Sequence, residues 1–348
     1  MATAAPRSER CVAIVVPMPR VAPVTTAALF AKGALIVAQI VSVGTPQFNG
    51  PRHSGAPATV TPAPGGEERP AGGANDARMG LELGVTTYGY LYRRTLEGAL
   101  RAIAAAGYTL VEISTTPPHI FTPGTEVLER WALRRLLQSL NLRCAAVNAA
   151  EQNLISPNPA LREAAVKEYE ATIELAADLE VDLVVVGPGR LNPLIPMPQE
   201  DAVALLNRQL ERLLPVARKL GARLALETFP FGFMRKGAEV RTVVDELDDD
   251  HLGIAYDCAN SLPHEDPAAG VRAVAGRLLL AHLSDAWRDR FAHTSVGRGE
   301  VNFKAYADAL RAADFTGPSI YELVDGEDPD PRIANDAKSF RTWGWKVG

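Results

Sequence analysis

The sequence predicts a closed (β/α)8 TIM barrel, a single domain behind a disordered N-terminal extension. Three observations predict it. From Met79 onward, short apolar runs alternate eight times with helical patterns. Residues 79–348 lie near the ~250 residues typical of this barrel. The last four apolar runs each end in an acidic residue or a histidine, as strands do when their carboxyl ends open onto a common face.

The elements follow in order. LELGVTTYG starting at Leu81 reads as the first strand, and Thr95 to Ala106 as a helix stopped by Gly107. TLVEIS (109–114) is the second strand. Thr125 is then expected to cap a helix in which Leu128, Ala132, Leu136 and Leu140 recur every four residues. RCAAVNA (143–149) is the third strand. The next helix, 160–179, carries Leu161, Ala165, Tyr169, Ile173 and Ala176 on one face. DLVVVGPG (182–189) is the fourth strand; its Gly187–Pro188–Gly189 end suits a tight turn or a close backbone approach to a ligand.

The second half repeats the theme. The helix over 199–220 contains Pro215, expected to kink it, and ends at Gly221. RLALETF (223–229) is the fifth strand, Glu239 to Leu247 a helix, and GIAYDCAN (253–260) the sixth strand. A helix near 267–276 precedes LLLAHLSD (278–285), the seventh. Asn302 caps a helix over 303–313 with Phe303, Tyr306, Ala307 and Leu310 inward, before SIYELV (319–324) and a last helix near 333–343. A doubly wound open sheet is the rival, but no G-x-G-x-x-G follows the first strand.

Residues 1–78 stand apart from the barrel domain at 79–348. They hold ten of the 26 prolines, including the run TPAPGGEERPAGGAND, and seven basic against four acidic residues. Such Pro/Gly/Ala-rich composition without a period implies disorder. Arg7, Arg10 and Arg20 ahead of a mildly apolar stretch fit a targeting segment, and Met79 fits a native start. The most apolar stretch, Val21 to Val43, is interrupted by Pro23, Lys32 and Gln39, so no membrane span is expected. A net charge of −5 offers no footprint for nucleic acid. Cys11, Cys144 and Cys258 have no metal-type spacing and cannot all pair internally, which suits a reducing, cytoplasmic compartment. A homo-oligomer remains open.

The chemistry gathers at strand ends. Glu227, Asp257, His282 and Glu322 close strands five to eight. Neighbouring strands lie ~5 Å apart, so these side chains can converge on one divalent ion. Three carboxylates and one imidazole suit Mn2+, Mg2+ or Co2+, and also accept Zn2+. Glu112 and Asn148, ending strands two and three, point into the same mouth. His293, which opens HTSVG, is read as a substrate residue or a surface loop histidine. Trp287, Phe229 and Phe231 either line an apolar wall or pack under loops.

At these residues the chain resembles the xylose isomerase-like superfamily of TIM barrels, in its sugar phosphate isomerase/epimerase branch, over roughly 81–345. The resemblance rests on LALET with Glu227, IAYDCAN with Asp257, HLSD with His282, HTSVGRGEVNF (293–303) and YELV with Glu322. It implies that these four residues bind one divalent metal and that Glu227 and Glu322 shuttle protons on either face of a substrate. It further implies that Arg288, six residues past His282, holds a substrate oxygen. The implied partner is a carbohydrate or polyol-derived small molecule. Two positions depart from the family. Asn260 stands where members often have histidine, and Phe233 where ketose 3-epimerases have glutamate. Both positions normally contact substrate, so the metal site transfers better than the substrate does.

The implied activity is isomerisation or epimerisation of a sugar or sugar-derived ketone through proton removal next to a carbonyl. A dehydratase of keto-cyclitol or dehydroshikimate type is the alternative on the same scaffold. An endonuclease IV-like phosphodiesterase fits less well: it needs further histidines, including one where Asn260 stands, and Phe291 replaces an expected aspartate. A catalytically dead binding barrel would be marked by loss of one of the four ligands, and none is lost.

Overall fold

The computed structural model describes residues 80–149 and 152–348. The expectation of disorder over 1–78 falls outside the described residues.

Eight parallel strands close on themselves: β1 (Leu81–Thr86), β2 (Leu110–Ser114), β3 (Arg143–Asn148), β4 (Leu183–Val186), β5 (Arg223–Glu227), β6 (Leu252–Asp257), β7 (Leu278–Leu283) and β10 (Ser319–Tyr321). Each pairs with the next, and β10 returns to β1 through Leu83↔Ser319, Gly84↔Ile320 and Val85↔Tyr321. The open-sheet alternative is thereby excluded. Around the barrel run α1 (Leu96–Ala105), α2 (Val127–Ser139), α3 (Pro159–Asp178), α4 (Gln199–Leu220), α5 (Gly237–Leu247), the single turn α6 (Cys258–Ser261), α7 (Pro267–Val274), α8 (Phe303–Ala312) and α9 (Asp330–Thr342). Among the described residues no helix is long and apolar enough to cross a membrane.

Two layers of apolar packing position the site. The outer layer lies between helices and strands, with Leu100, Ile103, Ile173, Leu206, Leu210, Val243 and Leu310 fully buried. Each such side chain contributes roughly 1.5–3 kcal/mol by leaving water. The inner layer fills the lumen with small and branched residues: Leu110, Ala146, Val185, Ala225, Ala255, Leu280 and Ile320. Side chains on a strand repeat every two residues. Two positions further along, on the same inward face, stand Glu112, Asn148, Gly187, Glu227, Asp257, His282 and Glu322. The polar layer is thus the next storey of the lumen. At two places the ladder slips by a residue just below it, between Val111 and Glu112 in β2 and between Ile254 and Ala255 in β6.

Several local readings change. α2 begins at Val127, with Glu126 rather than Thr125 before it; the Glu129 carboxylate accepts the Glu126 backbone N–H, while the Thr125 hydroxyl donates to the Phe121 carbonyl. Its Leu128 and Ala132 are exposed, and the inward side runs through Leu133, Leu136, Leu137 and Leu140. A strict four-residue repeat drifts by about 40° per step around a helix of 3.6 residues per turn, so it cannot stay on one face. α4 continues past Pro215, which sits on its exposed side. The first strand ends at Thr86, and Tyr88–Tyr90 form a short 3-10 turn. An antiparallel hairpin that the sequence reading did not find, β8 (Asp285–Trp287) and β9 (Arg290–Thr294), leaves the barrel after β7. A final two-residue strand, β11 (Trp345–Lys346), pairs with β1.

Candidate metal centre

Glu227 and Asp257 are the last residues of β5 and β6, His282 is one residue from the end of β7, and Glu322 directly follows β10. The structure brings the four together. One ligand atom from each lies within 4.8 Å of all the others. Asp257 and His282 are fully buried, Glu227 is 3% exposed and Glu322 7%. Asp257 Oδ1 accepts the backbone N–H groups of Ala259 and Asn260 at 2.7 and 2.9 Å, capping α6. Its Oδ2 is buried and has no hydrogen-bond partner. An acceptor left without a partner in a dry cluster costs free energy unless a cation meets it. Three carboxylates and one imidazole within that span therefore fit a hard divalent ion.

His282 lies between two acids. Its Nδ1 is 2.7 Å from Glu227 Oε1 and its Nε2 is 2.9 Å from Glu112 Oε2. Glu112 is itself wholly buried, and its Oε1 accepts from the Thr86 hydroxyl at 3.0 Å and the Asn148 side-chain amide at 3.3 Å. Burial alone would lower the His282 pKa, but Glu322, Glu112 and Glu227 outweigh it and raise it well above the ordinary imidazole range. Burial pushes the Glu227 carboxyl up against the opposing pull of His282, and pushes Glu322 well above its usual range. These shifts favour the protonated forms of Glu227, Glu322 and His282. A divalent cation would supply positive charge directly.

Above the cluster opens a pocket of about 190 Å³. Glu227, Glu322, Asn260 and His293 form its polar side, and Tyr88, Phe229, Phe231, Phe291 and Val324 its apolar side. Phe231 packs edge-on against both Phe229 and Phe291, with ring centroids 5.7 and 4.8 Å apart. Arg190 lies at the rim, its guanidinium 5.7 Å from the Phe229 ring. His293 is no surface loop residue: it is 6% exposed on β9. The Asn260 amide donates to the Thr228 carbonyl, which turns its Oδ1 towards His293 Nε2 at 3.0 Å. Nε2 therefore carries the hydrogen, and Nδ1 accepts from the Ser284 hydroxyl at 2.8 Å. Burial lowers the His293 pKa, which favours the neutral imidazole.

The other sequence candidates separate by position. Glu112 and Asn148 lie beneath the pocket, in contact with each other and with the metal cluster through His282. Arg288 is exposed at the hairpin turn, its backbone N–H donating to Glu300 at 2.7 Å, and it does not line the pocket. Trp287 stacks under Arg290 at 3.8 Å rather than forming a wall. Phe233 is buried outside the pocket. The sequence reading missed Tyr88, Arg190, Phe291 and Val324 as lining residues. The alternation in RFAHT, with His293 and Phe291 two apart on one side, was the available signal.

The family model described as "Xylose isomerase-like TIM barrel" matches residues 100–343. An L-ribulose 3-epimerase from a Methylomonas species is 25% identical over 261 residues, covering 68% of this chain and 82% of that protein. Among solved structures, a D-tagatose 3-epimerase-like protein superposes with a TM-score of 0.67 at 20% identity, covering 76% of this chain and 97% of the other. A 3-keto-D-glucoside 4-epimerase from E. coli superposes with a TM-score of 0.64 at 20% identity, covering 75% and 99% respectively.

Proposed function

The chain belongs to the xylose isomerase-like TIM barrel family, and on that premise we propose that it is a divalent-metal-dependent epimerase or isomerase of a sugar or sugar-derived ketone. The observation that carries the reading is the convergence of Glu227, Asp257, His282 and Glu322, two of whose carboxylates also line the pocket. These four residues are the proposed ligands. Held by them, a divalent ion would supply Lewis acidity to the oxygens beside the reacting carbon. Glu227 and Glu322 enter the pocket from β5 and from the end of β10. One takes the proton from the carbon next to the carbonyl, and the other returns a proton on the opposite face, which inverts that centre. Their burial favours the protonated carboxyl, which suits groups that must both accept and return a proton. Asn260 and His293 are the proposed polar substrate contacts, and the aromatic wall excludes water from the far side. Arg288 could contribute only by turning inward from the hairpin.

A lyase that expels a β-hydroxyl on the same scaffold is the second reading. It is favoured by Asn260 and Phe233, where the family's ketose-contacting histidine and glutamate are absent.

Elemental analysis of the purified protein, with His282→Ala and Asp257→Asn beside it, is the first test. Roughly one divalent ion per chain is expected in the wild type and none in the variants. Ketoses and keto-cyclitols incubated in D2O are then followed by NMR. Deuterium should enter next to the carbonyl, and Glu227→Gln and Glu322→Gln should each slow this by roughly 10²–10⁴-fold. Full turnover in both glutamine variants would refute the two-carboxylate mechanism, and a dehydrated product would install the second reading.

A further inference from the structure

We infer that Glu112 is a positioning residue of the metal centre: its carboxyl holds the His282 ring with hydrogen on Nε2 and so presents Nδ1 as the metal-binding atom. The inference rests on the metal-dependent reading above and deepens it. Glu112 was expected from sequence to touch substrate, but it is wholly buried below the pocket and does not line it. It also stands outside the four-residue ligand set. Both of its oxygens are committed. Oε1 accepts from Thr86 and Asn148, two side chains on the flanking strands β1 and β3, and Oε2 faces His282 Nε2. The first pair of bonds fixes the plane of the carboxyl, and that plane fixes the imidazole.

A neutral imidazole carries one N–H and one lone pair. Each ring nitrogen faces a carboxylate, Nδ1 the ligand Glu227 at 2.7 Å and Nε2 Glu112 at 2.9 Å. An ion seated among the four ligands would therefore take the lone pair on the Glu227 side and leave the hydrogen on Nε2 with Glu112 as its acceptor. Nε2 has its hydrogen-bond partner across the lumen on β2, with the ligand Glu322 farther off at 3.9 Å, so the assignment of ring nitrogens follows from the nearest carboxylate each one faces. A carboxyl behind a ligating histidine restrains the ring against rotation and raises its basicity as a ligand. Thr86 and Glu112 are direct register partners, so the whole device is built into strand pairing rather than into a loop.

The test uses full-length protein. Long-range 1H–15N correlation on histidine-labelled, Zn2+-loaded protein reports which nitrogen of His282 is protonated and which is coordinated. Coordination through Nδ1 with Nε2–H is expected. Mn2+ affinity is measured by competition with a chelator, with no substrate present. Glu112→Ala should weaken it roughly 10–100-fold, as loss of a partner behind a ligand does. Glu112→Gln keeps a carbonyl acceptor for Nε2–H and should recover most of that loss together with the wild-type tautomer. A carboxyl needed only for barrel stability would lower the melting temperature and leave both the tautomer and the affinity of folded protein unchanged. Coordination through Nε2 in the wild type overturns the inference, even if Glu112→Ala does not fold. Equal affinity in wild type and Glu112→Ala also overturns it, while leaving the proposed function intact. A wild type that binds neither ion overturns both.

Discussion

At the scale of single residues, the site stores a conflict that a metal would resolve. Glu227, Asp257 and Glu322 crowd around one imidazole in a region almost without solvent, and burial raises the Glu227 and Glu322 carboxyls while the surrounding acids raise His282. For groups whose folded pKa lies above the unfolded value, the stabilising contribution is complete below the unfolded pKa and is lost as pH rises through the folded one. All three shifts have this sign. Chelator-treated protein is therefore expected to melt at progressively lower temperature as pH rises above the ordinary carboxylate and imidazole ranges, by calorimetry. Glu322→Gln should flatten that profile and raise the melting temperature at its alkaline end. The identities of these four residues were legible in the sequence because each ends an apolar run. Glu112 and Asn148 were legible as lumen-facing by the same parity, but not in role. Periodicity gives the face a side chain takes and not its depth, and the depth puts Glu112 against His282, outside the pocket lining.

At the scale of elements, the hairpin of β8 and β9 builds one pocket wall, and Asp285 holds it in place. Asp285 is 1% exposed, and its two oxygens accept four backbone N–H groups: Ala286 at 3.0 Å and Val301 at 3.1 Å on Oδ1, Gly297 at 2.8 Å and Gly299 at 2.9 Å on Oδ2. The loop after β9 is thereby wrapped around one carboxylate. Gly299 is required there, since a Cβ would come within 2.2 Å of the Ala286 carbonyl oxygen. Asp285→Ala strands several of these donors at once and should destabilise the protein by about 2–4 kcal/mol in denaturant titration. Asp285→Asn, which keeps one acceptor oxygen, should fall between. The regular helices and strands were readable because burial imposes their periods. The hairpin was not, because its strands have only three and five residues around a charged turn, WRDR, that reads equally as exposed loop. That is why Arg288 was placed at substrate and Phe291 was not.

At the scale of the whole molecule, closure is the dominant fact, and it was foreseeable from the count of eight alternations. What no count revealed is how the described chain ends. Leu81 pairs with Trp345 and Glu82 with Lys346, so β11 lies along the start of β1. The groups of the site sit at the opposite, carboxyl ends of the strands and in the connections beyond them. The linear order of the barrel is thus separable from its chemistry. Joining Gly348 to Gly80 through about six flexible residues and opening the chain at Asn141, an exposed turn between α2 and β3, gives a circular permutant. It should bind Mn2+ as tightly as the parent, by the same chelator competition. In such a permutant Glu227, Asp257, His282 and Glu322 would precede Glu112 in the chain while keeping their neighbours in space. For the barrel, spatial neighbourhood and not chain order would then be what assembles the four side chains.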